Sequence, residues 1–128
     1  MTFEFTYDGK TYDVALTNRL IIQVEEACGK PIQHLWHTHR GQDQLMLKTK
    51  MAIYSVILGN LAISHNDAAL ALSVNQFINR DDVHWNSAEV VENCSNFIET
   101  YIKQQVEFLK IKGKDKDKVK EDDGTKKK

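Results

Sequence analysis

Three histidines lie close together in the segment HLWHTH, at His34, His37 and His39. Imidazole nitrogens are common zinc ligands, and a zinc site needs three or four ligands. On a helix, His34 and His37 share a face, whereas His39 points about 140° away from His34. One helix therefore offers two ligands, and His65, His84 or an acid would have to supply the others. We predict no metal site and interpret the histidines as surface or partly buried side chains.

Two pairs of adjacent acids are the other candidates for chemistry. Glu25 and Glu26 lie in a helical pattern, where neighbouring residues point apart, so we interpret them as a solvated face. Asp81 and Asp82 lie in a predicted loop, where turn or capping roles are commoner than catalysis. The sequence contains no His-Glu-x-x-His motif, no glycine-rich phosphate loop and no nucleophile elbow. We therefore predict no catalytic residues, no cofactor-binding residues and no enzyme activity.

Trp36 and Trp85 are the most conspicuous large side chains in the sequence. Each has polar neighbours and lies near the start or end of a predicted helix. Tryptophan is usually mostly buried, and it is also enriched where partner proteins bind most tightly. Both tryptophans are therefore candidates for core packing or for partner binding.

The charges divide the chain into a body and a tail. The tail, Lys110 to Lys128, holds nine of the 17 basic residues and five of the 18 acidic residues, leaving residues 1–109 with a net charge of about −5. A segment with so few apolar residues cannot offset the entropy of ordering, so we predict a disordered tail. The acidic body argues against nucleic-acid binding, because phosphate recognition requires clustered Lys and Arg.

The compartment is predicted from what the sequence does not contain. It has no apolar run of the length that a membrane span needs, and its first residues lack a signal-peptide pattern. We therefore expect a cytosolic protein. Cys28 and Cys94 lie singly inside helical patterns, which favours free buried thiols over a disulfide.

A β-hairpin is predicted over residues 3–14. Apolar and polar residues alternate on both sides of Asp8-Gly9, and this dipeptide between alternating runs is a strong hairpin signal. Two strands alone are marginally stable, so the hairpin must pack on helices.

The first two predicted helices follow the hairpin directly. The first begins after Thr17 as the N-cap and ends at Gly29. Its predicted apolar face consists of Leu20, Ile21, Val24, Ala27 and Cys28. Pro31 either stops this helix or begins a second, short helix that ends near Arg40.

A long helix is predicted next, over Gln44 to Ile63, with Asp43 as its cap. Its second half, MAIYSVILGNLAI, is apolar on nearly every side. Such a helix belongs in a core or an interface, and a small domain has difficulty covering all of it. We therefore expect part of it to face a partner, with Ile53, Val56 and Ile57 as candidate contacts.

Two more helices complete the predicted body. One begins at Asn66 or Asp67 and carries apolar residues at helical spacing, and a polar loop, Asn79 to Trp85, follows it. The last helix is predicted to begin after Asn86, because Glu89 completes a capping box and Trp85 and Val90 occupy the two staple positions. Its apolar stripe consists of Val91, Cys94, Ile98, Tyr101, Ile102 and Leu109. The prediction is a mostly α fold, with one helical domain over residues 1–109.

This layout resembles the tail assembly chaperones of long-tailed bacteriophages and of gene-transfer particles. The similarity lies in the hairpin FEFTYDGKTYDV running straight into LTNRLIIQVEEACGKPI, in the acidic helical domain, in the helix centre MAIYSVILGNLAI and in the charged tail ending GTKKK. It implies a protein that binds the tape measure protein and keeps it soluble while the tail tube polymerises. It also implies self-association and the host cytoplasm, with the tail tube protein as a further candidate partner.

A second interpretation stays open from the sequence alone. A small regulatory protein, either a helix-turn-helix DNA binder or an inhibitor of a host enzyme, would have a similar size and composition. A DNA binder should concentrate Lys and Arg on one exposed helix, whereas the eight basic residues of the body are scattered.

Overall fold

A hairpin followed by helices makes up the fold. The computed structural model describes the backbone of residues 1–40 and 45–122, and the side chains of these residues except 39 and 111–122. In chain order the elements are strands β1 (Thr2–Tyr7) and β2 (Lys10–Ala15), helices α1 (Asn18–Cys28), α2 (Ile32–Arg40) and α3 (Leu47–Ser64), a 3₁₀ turn (Ala68–Leu70), and helices α4 (Val74–Ile78) and α5 (Ala88–Asp122). This architecture confirms the predicted mostly α fold with an N-terminal hairpin.

The hairpin closes through Asp8 and Gly9, as the sequence predicted. Both have positive φ angles, 52° and 79°, which is the geometry of the tight turn whose twist matches antiparallel strands. Tyr7 pairs with Lys10 across this turn, and the register continues to Thr2 opposite Ala15. One face of the hairpin, with Phe3, Phe5 and Val14, enters the core.

The outer edge of β1 is covered by two asparagines of α5. The Asn93 side chain accepts a hydrogen bond from the Thr6 N–H at 2.9 Å and donates one to the Thr6 carbonyl at 2.7 Å. Asn96 donates to the Glu4 carbonyl at 3.0 Å. These amides take the place of a third strand, so the hairpin is fixed to α5 by directed bonds as well as by apolar packing.

The first helix is capped as predicted, but one of its acids has an unpredicted role. The Thr17 hydroxyl accepts from the Leu20 N–H, and Gly29 ends α1 with a φ of 70°. α2 begins at Ile32, and its N–H donates to Glu25 Oε2 at 3.0 Å. Glu25 is therefore half-buried and bonded to the start of the next helix, and its prediction as part of a solvated face is wrong.

The long apolar helix is shorter than predicted and better covered. α3 begins at Leu47, with Met46 at the cap position, so the predicted start at Gln44 is wrong; Asp43 and Gln44 lie outside the described residues. The buried residues of α3 are Lys50, Met51, Ala52, Ile53, Tyr54, Ile57, Leu58, Leu61 and Ala62. Only its ends carry strongly exposed apolar side chains, Leu47 at 50% and Ile63 at 71%. Ile53 and Ile57, two of the candidate contacts, are therefore enclosed, and the expectation that part of this helix faces a partner stays a prediction.

One predicted helix is replaced by two short pieces. Asp67 caps the 3₁₀ turn by accepting from the Ala69 N–H, which confirms its role as a start signal. The chain then becomes extended, and Ser73 begins α4 through a reciprocal capping box with Gln76. Because this second cap competes with helix continuation, the single helix predicted from apolar spacing is not formed.

The last helix begins one residue later than predicted. Ser87 Oγ accepts from the Val90 N–H at 3.4 Å, and α5 starts at Ala88. Asn86, the predicted cap, instead accepts a hydrogen bond from Lys50. The backbone of α5 is helical as far as Asp122, which includes residues 110–122 of the tail that was predicted to be disordered. Residues 123–128 lie outside the described residues, so disorder there stays a prediction.

Tyr54, in the middle of α3, joins the elements of the core. Its ring is in edge contact with Phe5 of the hairpin at 4.9 Å, with Phe77 of α4 at 6.2 Å and with Trp85 of the loop before α5 at 5.1 Å between ring centroids. Edge-to-face arrangements of this kind are favourable beyond the area they bury. The centre of α3 is therefore the place where the hairpin and the later helices meet.

Candidate functional site

The five predicted partner contacts occupy different environments. Ile53 and Ile57 are completely buried, and Trp85 is 9% exposed within the aromatic core. Trp36 and Val56 are half-buried and pack against the core. Ile53 and Ile57 therefore have no surface to offer a partner in this fold, because neighbouring elements cover both sides of α3.

Exposed large apolar side chains occur on several elements, and three of them lie close together in sequence on the second half of α5. Phe97 and Ile98 are completely buried, whereas Val106 is 46% exposed, Phe108 58% and Leu109 65%. We call these last three residues the α5 apolar end. Leu109 was predicted to continue the apolar stripe of this helix, and the described residues leave it largely uncovered; Val91, near the start of the same predicted stripe, is also 49% exposed. Sequence periodicity identified the stripe but not where its cover ends.

A polar group near the α5 apolar end is also unsatisfied. Gln104 Oε1 is buried and has no hydrogen-bond partner among the described residues. Buried polar atoms without partners are unusual in folded proteins.

The described histidine side chains are not gathered into a site. His34 and His37 of α2 are exposed, the side chain of His39 lies outside the described set, and His65 contacts the Tyr12 ring at 5.2 Å between ring centroids. Within the described part of the chain, no group of three His, Cys, Asp or Glu side chains is arranged to hold a metal ion.

An open groove under the tip of the hairpin has a volume of about 760 Å³. We call it the tyrosine groove. Three tyrosines from separate segments, Tyr7, Tyr12 and Tyr54, contribute to its walls. Its charged lining consists of Asp8, Lys10, Asp67, Arg80, Asp82, His84 and Glu89. Sequence reasoning missed this groove, because its walls come from the hairpin, α3, the 3₁₀ turn, the loop before α5 and the start of α5.

Arg80 is held at the wall of the groove by two partners. It donates to the Tyr7 hydroxyl at 3.0 Å and to both carboxylate oxygens of Asp82 at 2.9–3.0 Å. The bonds to Asp82 and Tyr7 raise the pKa of Arg80, and Arg80 lowers the pKa of Asp82. Asp82 therefore has a local structural role, in agreement with the sequence interpretation of this acid.

Two polar side chains are buried beside the groove, and both are satisfied. Lys50 is 5% exposed and donates to the Trp85 carbonyl at 3.1 Å and to Asn86 Oδ1 at 2.9 Å. Asn93, which also holds β1, donates to the Tyr54 hydroxyl at 2.8 Å. Burial raises the pKa of Tyr54, so this phenol stays protonated at ordinary pH.

The two cysteines are free, and neither is activated. Burial raises the pKa of the Cys28 thiol to about 11 and that of Cys94 to about 12. The thiolate is the reactive form, so both residues should react slowly with alkylating reagents in the native protein. Cys94 is buried as predicted, whereas Cys28 is only partly buried.

Comparison of the chain with protein-family models, with curated proteins and with solved structures finds no match. No helix within the described residues is both long and apolar enough to cross a membrane. The two surface features that remain as candidate sites are the α5 apolar end and the tyrosine groove.

Proposed function

We propose that this protein is a tail assembly chaperone that binds the tape measure protein of a long-tailed bacteriophage or gene-transfer particle and keeps it soluble. The resemblance in sequence layout suggests the partner. The observation that carries the proposal is the α5 apolar end, where Val106, Phe108 and Leu109 are about half exposed or more. A chaperone for a long helical chain needs apolar surface that its own fold leaves available.

The geometry of the α5 apolar end suits a helical partner. Val106 and Leu109 are three residues apart and therefore lie on one side of α5. A partner helix with apolar residues at the same spacing can pack alongside them. Beyond Leu109 the sequence of α5 is mostly charged, with Ile111 and Val119 as its apolar residues, so the contact would span only one or two helical turns.

The strength expected of this contact fits a chaperone that must later be released. Fully burying one large apolar side chain contributes about 1.5–3 kcal/mol, and these three are already partly covered. A single contact is therefore weak. Several copies along one long chain would hold it firmly, because each further attachment to a partner already held is favoured by effective concentration.

The experiment is co-expression of the full chain with a fragment of the tape measure protein. We expect the fragment to remain in the supernatant and to co-purify with the wild-type chain. The double variant Val106→Asp/Leu109→Asp should lose the fragment while keeping its circular dichroism spectrum. Ile63→Asp is the matched control, because Ile63 is 71% exposed at the end of a different helix.

Two results would contradict the proposal. One is a fragment that stays insoluble with the wild-type chain, after which the regulatory-protein interpretation would lead. The other is equal retention of the fragment by the wild type and the double variant, which would show that the α5 apolar end is not the binding surface.

A further inference from the structure

We propose that the tyrosine groove is a binding site for an uncharged oligosaccharide. This inference goes beyond the chaperone role and does not depend on it, because the α5 apolar end contributes none of the described residues that line the groove. It follows from the charges of the lining, from the hydroxyl hydrogens of its three tyrosines, and from its ring faces and volume.

The charges of the lining disfavour an anion. Four carboxylates, those of Asp8, Asp67, Asp82 and Glu89, lie there with the two cations Lys10 and Arg80. Arg80 is already paired with Asp82. Lys10 is exposed at the hairpin tip, and it forms no ion pair with the other carboxylates within the described part of the chain. Even with Lys10 counted the lining is net negative, so its charged groups mainly accept hydrogen bonds from a ligand.

The tyrosine hydroxyls have the opposite requirement. The Tyr7 hydroxyl accepts from Arg80 at 3.0 Å, and the Tyr54 hydroxyl accepts from Asn93 at 2.8 Å. Neither of them, nor the Tyr12 hydroxyl, donates its own hydrogen to an acceptor among the described residues. Tyr54 is 1% exposed, and a buried donor without an acceptor is unusual. A ligand with oxygen acceptors would satisfy these donors, whereas a protonated amine has no lone pair to offer.

Two of these hydroxyls lie near a carboxylate of α5. Burial is the main reason that the pKa of Tyr54 is raised, and the charges of Glu89 and Tyr7 raise it further. The polar ends of these three side chains are therefore close in space. No hydrogen bond joins any two of them within the part of the chain that the structure describes. A ligand hydroxyl can accept from a phenol and donate to a carboxylate at the same time, so it can bridge them.

The rings of the groove suit the carbon face of a sugar. Tyr7 and Tyr12 are half-buried, so part of each ring is open to a ligand. The face of an aromatic ring has a negative potential and attracts the weakly positive C–H groups of a sugar ring. Leu70 and Leu72 add apolar surface to the same lining. A saccharide combines an apolar face with hydroxyls at its edge, and it thereby matches both kinds of surface in the groove.

The volume of the groove fits more than one sugar unit. It is about 760 Å³, within the range of about 300–1,000 Å³ that is usual for small-molecule sites. Because the groove is open, a linear ligand can also extend beyond it. We therefore expect an oligosaccharide of a few units rather than a single sugar.

The test is isothermal titration calorimetry of the full chain with three uncharged probes: cellotetraose, maltotetraose and tetra-N-acetylchitotetraose. We expect at least one of them to bind with a Kd of about 1 mM or lower. Because these probes carry no charge, the affinity should change by less than about twofold between low and physiological salt. Spermidine and inorganic phosphate are the charged comparison probes, and both should bind more weakly than the best sugar.

Two conservative variants test the assigned contacts. Glu89→Gln removes a charged acceptor and Tyr12→Phe removes only a hydroxyl, so each should weaken sugar binding about fivefold or more. Glu26→Gln is the matched control, because Glu26 is an exposed glutamate of α1 outside the groove lining. The double variant Val106→Asp/Leu109→Asp should bind sugar as the wild type does, which separates this site from the chaperone surface.

Lys10→Gln distinguishes a sugar site from a cation site. It removes the unpaired cation of the lining, so it should strengthen the binding of spermidine while leaving sugar binding unchanged or weaker. Three results would overturn the proposal. They are an absence of heat from all three tetrasaccharides at about 10 mM, where a site with a Kd of about 1 mM would be nearly full, tighter binding of spermidine or phosphate than of any sugar, and equal weakening of sugar binding by Glu26→Gln.

Discussion

The two long helices of this protein differ in how completely the fold buries their apolar residues. α3 is apolar on almost every side, and the fold covers it from Lys50 to Ala62, because α1, α4, the 3₁₀ turn and α5 all pack around it. α5 has a narrower apolar stripe, yet the stripe ends in exposed Val106, Phe108 and Leu109. The apolar content of a helix indicates how much of its surface must be buried. Whether that cover exists depends on which other elements are within reach.

The largest loss of stability is expected from a charged residue introduced on the buried face of α3. Ile57 is completely buried, and Ile57→Asp would place a carboxylate among apolar side chains with no cation beside it, so we expect the domain to lose its cooperative unfolding transition. Ile57→Val, which removes one methylene, should cost only about 0.5–1.5 kcal/mol. Urea denaturation followed by circular dichroism would measure both. A folded Ile57→Asp protein of near wild-type stability would show that α3 is less enclosed than the structure indicates.

A smaller loss of stability is expected from a substitution where α5 is bonded to the hairpin and to α3. Asn93→Ala removes three hydrogen bonds and leaves the Thr6 backbone groups and the Tyr54 hydroxyl without this partner. Each unpaired buried group costs about 1–3 kcal/mol, so a total loss of at least about 2 kcal/mol is expected.

Asn96→Ala provides the control for Asn93→Ala, because it removes only the exposed bond to the Glu4 carbonyl. Its cost should be about 1 kcal/mol or less. Equal losses in denaturant for the two variants would mean that Asn93 is not the residue that secures β1 to α5.

Substitutions at the start of α5 should lower the free energy of unfolding by an intermediate to small amount. Ser87→Ala removes the hydroxyl that accepts from the Val90 N–H, and the loss of such a cap costs about 0.5–2 kcal/mol. Asn86→Ala removes a different bond, the one from Lys50, so its effect should depend on that lysine. A double-mutant cycle with Lys50→Met would measure the dependence. Additive losses for Asn86 and Lys50 would contradict the assigned hydrogen bond.

The smallest effect on stability is expected at the α5 apolar end. Leu109 is 65% exposed, so Leu109→Asp should change the free energy of unfolding by no more than about 0.5 kcal/mol. Thermal unfolding of the purified protein would measure it. A loss comparable to that of Asn93→Ala would show that this part of α5 is covered within the single chain, and the contrast between the two helices would fail.

Features set by neighbouring residues could be predicted from the sequence. Asp8-Gly9 accepts positive φ angles, Thr17 offers a hydroxyl to the first turn of α1, and Gly29 takes the left-handed conformation that ends it. Each of these features depends on residues within a few positions of one another, so a short window of sequence is enough to predict it. The mostly α fold with its hairpin followed from the same signals.

Neighbouring candidates for a helix cap could not be distinguished from the sequence. Asn86 and Ser87 are both residue types that cap helices well. Lys50, 36 residues away in the chain, donates a hydrogen bond to the Asn86 side chain, so Ser87 is left to cap α5. Ser73 competed with helix continuation and split one predicted helix into a 3₁₀ turn and α4.

The sequence by itself determined the hairpin, the first helix and the separation of an acidic body from a lysine-rich segment, because these depend on local conformation and on composition. Only the tertiary structure decided that Ile53 and Ile57 are enclosed, that Leu109 is exposed, and that three tyrosines form one groove. Burial depends on what other segments supply at a given point in space. That information is distributed over residues far apart in the chain, which no local pattern contains.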